Sequence, residues 1–278
     1  MTPSEPDRRT AAFTSPSVPD AYERHLVPSL FGPWADVLVD TVGVHEGGQV
    51  LDIASGTGVV ARLAAARVGR TGRVVASDVS GAMLAYAANV PVPAGSASID
   101  YLEASVTELP LADHSFDVVL CQQGMQFFTD PARAVAEMLR VLRPGGTIGI
   151  SVWLAQRRLE PFDDYIEALV EAGLEPPFPG AFESESFKMP EETVGAVLDA
   201  AGCASLDVRV VECEVVWPNA ESAAAGVFGT PYAPLVNRLP MDRRDALEAE
   251  LVRRFAPSAS DGTARRVSVA VVAHAAAL

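Results

Sequence analysis

Cysteine is scarce in this chain. Its 278 residues hold three, Cys121, Cys203 and Cys213, and no two of them stand in Cys-x-x-Cys spacing. Neither a disulfide framework nor a zinc site is expected. Basic residues are outnumbered, 21 Lys and Arg against 36 Asp and Glu, for a formal net charge of −15. That balance argues against binding the phosphate backbone of a nucleic acid or an anionic membrane surface. Long apolar runs are missing too. The most apolar stretch, Val267 to Leu278, falls short of the ~20 residues a spanning helix needs, and Met1 to Thr10 lacks the apolar centre of a signal segment. A cytoplasmic location is expected. Histidine is rare, with only His25, His45, His114 and His274. No metal-ligand spacing appears among them.

What the chain does have is apolar content, 49% by residue, enough for one large domain or a domain with a cap. Heavy use of Ala, Arg and Pro suggests a GC-rich bacterial genome. The chain is organised around residues Val50 to Ala61. Val50 to Ile53 reads as a buried strand, Ala54 to Gly58 as a tight turn of small residues, and Val59 to Val68 as a helix. A strand, a glycine turn and a helix bring unpaired backbone N–H groups to one point. Gly56 and Gly58 allow a ligand close to the backbone, because no Cβ intervenes. The same letters, Gly56-x-Gly58-x-x-Ala61, also fit the dinucleotide fingerprint.

The βα rhythm continues. Further strands are expected at Val74 to Ser77, Ile99 to Glu103, Phe116 to Cys121 and Thr147 to Trp153. Helices are expected at Gly81 to Asn89 and Ala132 to Leu142. Asp78 closes the second strand, where a carboxylate can accept from the two hydroxyls of a ribose. Its bland alternative is to cap the next helix, for which Ser80 is better placed. Gln122 to Phe128 follow the fourth strand, on the ligand side of an open parallel sheet. At the N-terminus Asp20 is expected to cap a helix from Ala21 towards Leu30, with Tyr22, Leu26 and Leu30 on one face. Gly32-Pro33 should interrupt it before Trp34 to Val42 resumes. After residue 154 the rhythm breaks into helices, a Pro/Phe-rich segment and two long β runs, Leu206 to Trp217 and Val267 to His274.

Four segments occur in a telling order: Val50 to Gly58, Ser77 to Ser80, Leu109 to Val119 and Leu142 to Gly146. Together they resemble the class I S-adenosylmethionine-dependent methyltransferases, in particular the UbiE-like small-molecule group, with Cys121 to Phe128 similar to actinobacterial members. The resemblance covers residues 20–155 well and the remainder in outline. It implies an α/β fold: a Rossmann-like, seven-stranded, mostly parallel doubly wound sheet with an antiparallel last strand and a helical cap. Residues 1–19 would be a flexible tail, 20–153 the cofactor core with its cover helices, and 154–278 the cap segments with the last two strands. Asp52, an acid inside the first strand, suits a positively charged ligand better than a pyrophosphate, which speaks against a nicotinamide oxidoreductase.

Position by position, the resemblance assigns Asp52, Ala54, Ser55, Gly56, Thr57 and Gly58 to the methionyl part of S-adenosylmethionine. Asp78 takes the ribose, and Val79 and Met83 the adenine face. Ser105 and Val106 stand where the family usually has an acid followed by a small residue. Gln122 meets the methionyl group and Tyr22 covers it. No metal is implied. A small-molecule substrate is expected, with a homodimer allowed and neither nucleic acid nor membrane as partner. Its pocket should draw on Gln126, Phe127, Phe178, Phe182, Phe228 and Tyr232, aromatics that suit a flat or apolar molecule. The bland reading makes these phenylalanines anchors of the cap. His25 is the one histidine placed to act as a base. The methyl acceptor could be O, N or C, and a non-methylating reaction on the same fold is the rival within the family.

Overall fold

The computed structural model describes residues 18–256 and 261–277. The tail expected over 1–19 lies largely outside the described residues, but Val18 and Pro19 do not belong to it: both are buried in the helical turn Val18–Ala21.

Seven strands form one sheet: β1 Gln49–Ile53, β2 Arg73–Asp78, β3 Ile99–Glu103, β4 Phe116–Gln122, β5 Leu142–Trp153, β6 Ala204–Trp217 and β7 Ala264–Ala276, in the order β3-β2-β1-β4-β5-β7-β6. The first five run parallel, and β7 is antiparallel to both β5 and β6. Side chains alternate across the pleat. Leu51, Ile53, Val75, Val119, Cys121, Ile148 and Ile150 face a core closed by the helices Pro131–Val141 and Glu191–Ala200. Val50, Val74, Ala76, Val118 and Leu120 face the other core, with Leu26, Leu30, Trp34, Leu38, helix Val59–Val68 and the cap. Burial on both faces makes these strands short apolar runs. Strand order reverses between β1 and β4, so the crevice beyond their carboxyl ends is where such a sheet holds a ligand.

Two expectations at the N-terminus need correction. Asp20 is no cap: it sits inside the helical turn Val18–Ala21 and pairs with Arg24 at 2.8 Å. Gly32-Pro33 does not interrupt the helix. Tyr22–Phe31 is a π-helix that passes directly into the α-helix Gly32–Val42, and the Gly32 N–H donates to the Val27 carbonyl five residues back. Elsewhere the boundaries move little. Ser80 caps helix Gly81–Ala87 by accepting from the Met83 N–H, and Asp130 caps Pro131–Val141 by accepting from the Arg133 N–H at 2.9 Å. The fifth strand, expected from Thr147, begins at Leu142, and Gly145 and Gly146 exchange hydrogen bonds with Ala277.

Candidate active site

At the end of β1 the chain turns through Ala54, at φ 55°, and Gly56, at φ 54°. Just past β4, Gln123 adopts φ 51°. Left-handed backbone at a non-glycine residue is costly, and such residues gather at functional sites. Here two of them lie beside the strand-order reversal. The Ser55 N–H donates to the Ser77 carbonyl at 3.1 Å, which ties the turn to β2. The Gly56 N–H donates to Asp78 Oδ2 and the Ser80 N–H to Asp78 Oδ1, both at 2.8 Å. Asp78 thus braces two turns with its carboxylate. Each oxygen keeps a further lone pair for a ligand hydroxyl. Burial pushes its pKa up, against the pull of those N–H groups.

Asp52 lies deeper, 1% exposed, and its Oδ2 has no partner. Burial raises its pKa well above the usual carboxylate range. The Ala61 N–H opposes that rise and nearby Asp78 adds to it. A Cβ placed on Gly56 would meet nothing within 4 Å. An unsatisfied buried acid beside open backbone suits a ligand that brings positive charge and approaches closely.

Gly56 and Asp78 open onto a cavity of about 440 Å³. Of the residues expected from sequence, it brings together Tyr22, Ala54, Gly56, Asp78, Val79, Met83, Ser105, Val106, Gln122, Gln126, Phe127 and Tyr232. Asp52, Ser55, Thr57 and Gly58 lie behind the wall; Ser55 Oγ and Thr57 Oγ1, like Asp52 Oδ2, are buried without a partner. Ser105 is exposed, with its hydroxyl 2.8 Å from Thr107 Oγ1. Tyr22 stacks on Phe31 with ring centroids 4.7 Å apart.

Four further expected residues are not in the wall either. His25 lies outside it; its carbonyl accepts from Trp217 Nε1, and burial with neighbouring Arg24 lowers its pKa. Phe178 is buried in the core. Phe182 packs edge-on against Tyr232 at 5.8 Å, and Phe228 packs on the same core. Apolar composition could not say which side of the segment a phenylalanine would take. The cavity also takes Phe31 and Phe128, from stretches expected to border the ligand, and Trp153, Leu159, Phe162 and Phe187, which were not singled out by residue from the sequence. Trp153 was findable, since it ends β5 as Gln122 ends β4. Phe187 was not, because only tertiary packing brings it 5.8 Å from Phe127.

Residues 51–150 match the family model described as a methyltransferase domain. The chain is 39% identical over 116 residues to the ubiquinone/menaquinone biosynthesis C-methyltransferase UbiE of Hahella chejuensis, covering 41% of this chain and 47% of that one. The counterpart from Idiomarina loihiensis is also 39% identical, with 41% and 46% covered. The match therefore spans just under half the length of these relatives. Among solved structures, a phosphoethanolamine N-methyltransferase 2 of Haemonchus contortus superposes with TM-score 0.59 at 17% identity, over 97% of this chain and 59% of that one. A methyltransferase from Aquifex aeolicus gives 0.53 at 24%, over 69% and 91%. At these identities the structures establish the shared fold. Residues 51–150 are thus similar to a methyltransferase domain, set within a chain that shares the fold of these methyltransferases.

Proposed function

We propose that the protein moves the methyl group of S-adenosylmethionine to an O, N or C nucleophile of a small apolar or aromatic molecule, by in-line displacement. The observation that carries this reading is the continuity of the cavity. One end is the Gly56 turn with Asp78 and Met83; the other is an aromatic wall of Phe31, Phe127, Trp153, Phe162, Phe187 and Tyr232. Two reactants can meet there without crossing solvent.

The residues fit the cofactor. Asp52 and the turn Ala54 to Gly58 would hold the methionyl part, with Gln122 beside it. Asp78 would take the ribose hydroxyls, Val79 and Met83 the adenine face, Ser105 and Val106 its edge, and Tyr22 would form the cover. S-Adenosylmethionine would supply a methyl group already activated on a sulfonium. The chain's part is to hold the acceptor in line and to exclude water, and alignment alone can lower a barrier by ~7–11 kcal/mol. Among the described residues of the wall, Asp78 is the only carboxylate, and there is no His, Lys, Arg or Cys. The acceptor then supplies its own nucleophilicity. In this reading residues 20–153 serve the cofactor and 154–278 close over the acceptor. The UbiE relatives, named for C-methylation in quinone biosynthesis, support an apolar ring as acceptor.

Calorimetry with S-adenosylhomocysteine and with NAD is the first test, and binding of the first alone is expected. Transfer of label from methyl-labelled S-adenosylmethionine into a metabolite extract is the second. Tight cofactor binding with no labelled product from any extract would favour a non-methylating reaction on this fold.

A further inference from the structure

The wall carries two carboxamides that no protein group satisfies. Gln123 and Gln126 are 7% and 9% exposed, and in each both Oε1 and Nε2 are buried without a hydrogen-bond partner. Gln122 differs, because its Nε2 donates to the Phe31 carbonyl at 2.9 Å and only its Oε1 is left over. Buried polar groups are almost always paired, so two unpaired amides in one wall call for a ligand. Gln123 also holds a left-handed backbone, at φ 51°. Such a conformation persists where the surroundings hold it for use. Around the pair the wall is apolar, with Phe127, Phe128, Trp153 and Phe187.

We infer that Gln123 and Gln126 form a recognition pair for a neutral group that carries a donor beside an acceptor, such as a lactam, a carboxamide or a hydroxy-carbonyl edge, on the flat acceptor molecule. Each amide offers one acceptor oxygen and a donor nitrogen, so its best complement is likewise mixed. An anion would leave both Oε1 atoms unpaired and would share a cavity with Asp78. A bare hydrocarbon ring would leave all four amide atoms unpaired, and sites built to bond a polar group reject analogues that lack it. This inference deepens the methyl-transfer reading and rests on it for the identity of the acceptor. The pair itself rests on its own geometry.

The test uses the full-length protein with 2-quinolone, a planar lactam, against naphthalene and 2-naphthoate. Binding is followed by calorimetry and by quenching of tryptophan fluorescence, with and without saturating S-adenosylhomocysteine. Wild type should prefer 2-quinolone over both by roughly tenfold or more. Gln123→Met and Gln126→Met should each erase most of that preference and leave S-adenosylhomocysteine affinity unchanged. Gln126→Glu, a second variant of equal size, should turn the preference towards 2-aminoquinoline, whose protonated form offers two donors. Equal binding of naphthalene and 2-quinolone, no binding of 2-quinolone, or variants that keep the wild-type preference would overturn the pair. Wild type that prefers 2-quinolone but ignores S-adenosylhomocysteine would retire the methyl-transfer reading and leave the pair standing.

Discussion

Asp78 serves the fold directly, and in the proposed reading it would hold the ligand as well. Its two oxygens hold the Gly56 and Ser80 N–H groups, which fixes the glycine turn against the next helix. In Asp78→Asn only one oxygen remains, and the new amide must face an N–H donor with a donor of its own. Hydrogen bonds to a charged group are worth about 1.5–3 kcal/mol each. The variant should therefore melt earlier and bind S-adenosylhomocysteine at least tenfold more weakly. A 2′,3′-dideoxy analogue should separate the two roles, since its loss on mutation reflects only the brace. Asp52 yields a second expectation. Its buried carboxyl holds a proton above the ordinary range, and a cationic ligand favours the ionised form. Binding should then release a proton, and affinity should rise with pH until the free protein has itself ionised there. Calorimetry in buffers of different ionisation heat reads that proton directly, and Asp52→Asn should abolish it. Both acids were legible in the sequence, because strand, turn and helix follow one another within a few residues. Phe178 and Phe187 were not: nine residues apart, both join the same core, and only Phe187 also lines the cavity, a difference set by distant partners.

The N-terminal helix was legible as an element and illegible in its winding. Bonding from residue i to i+5 adds roughly one residue to each turn. Tyr22, Leu26 and Phe31 thereby reach the cavity, where an α-helix would have aligned Leu30. The apolar letters of this stretch satisfy either period, and only packing decides. The cap does that packing at Gly229. A Cβ there would lie 2.7 Å from both the Tyr22 Cα and the Tyr22 nitrogen, so backbone would have to move. Overpacking of this kind costs about 1–3 kcal/mol. Gly229→Ala should lower the melting temperature by several degrees, an amount that ~1–3 kcal/mol gives in a chain of this size. It should also shift the Tyr22 cover and so weaken S-adenosylhomocysteine binding. Gly202→Ala, in open space away from the cavity, is the control for a general loss of stability. Equal effects on cofactor affinity from both would mean that Gly229 does not position the cover. The first four strands, by contrast, were readable to within a residue at each end, whereas β5 begins five residues before the expected start.

At the scale of the whole molecule, the sheet and cap meet in a network of charges that no local pattern announced. Arg158 Nε holds Glu160 Oε1 at 2.8 Å and its Nη2 holds Asp164 Oδ1 at 2.9 Å. Arg266, from β7, approaches both acids, at 3.2 and 3.3 Å. Arg254 ties helix Met241–Arg254 to Glu167 and Glu171 of helix Phe162–Glu171. The partners come from positions up to a hundred residues apart, which is why sequence spacing could not pair them. Burial, with Asp164 alongside, pushes Glu160 up to about 7, against the opposing pull of Arg158 and Arg266. The folded protein therefore keeps a proton that the unfolded chain gives up near the ordinary carboxylate value. A raised pKa of this kind stabilises fully below the unfolded value, and that stability is lost as pH climbs through the folded one. Melting temperature should accordingly fall between about pH 5 and about pH 7.5. Asp52 and Asp78, also raised, push the same way, so the wild-type slope alone does not isolate Glu160. Glu160→Gln does, because it keeps the shape and removes the titration while Arg158 retains Asp164 and Glu167. Its melting curve should be flatter across that window and should cross above wild type at the alkaline end. Leu159 and Phe162 flank this acid and line the cavity, so ionisation of Glu160 should loosen this part of the cavity wall. Proteolysis within residues 154–190 should then quicken with pH in wild type and less so in Glu160→Gln. Parallel melting curves for the two proteins would place the pH dependence in the cofactor acids instead.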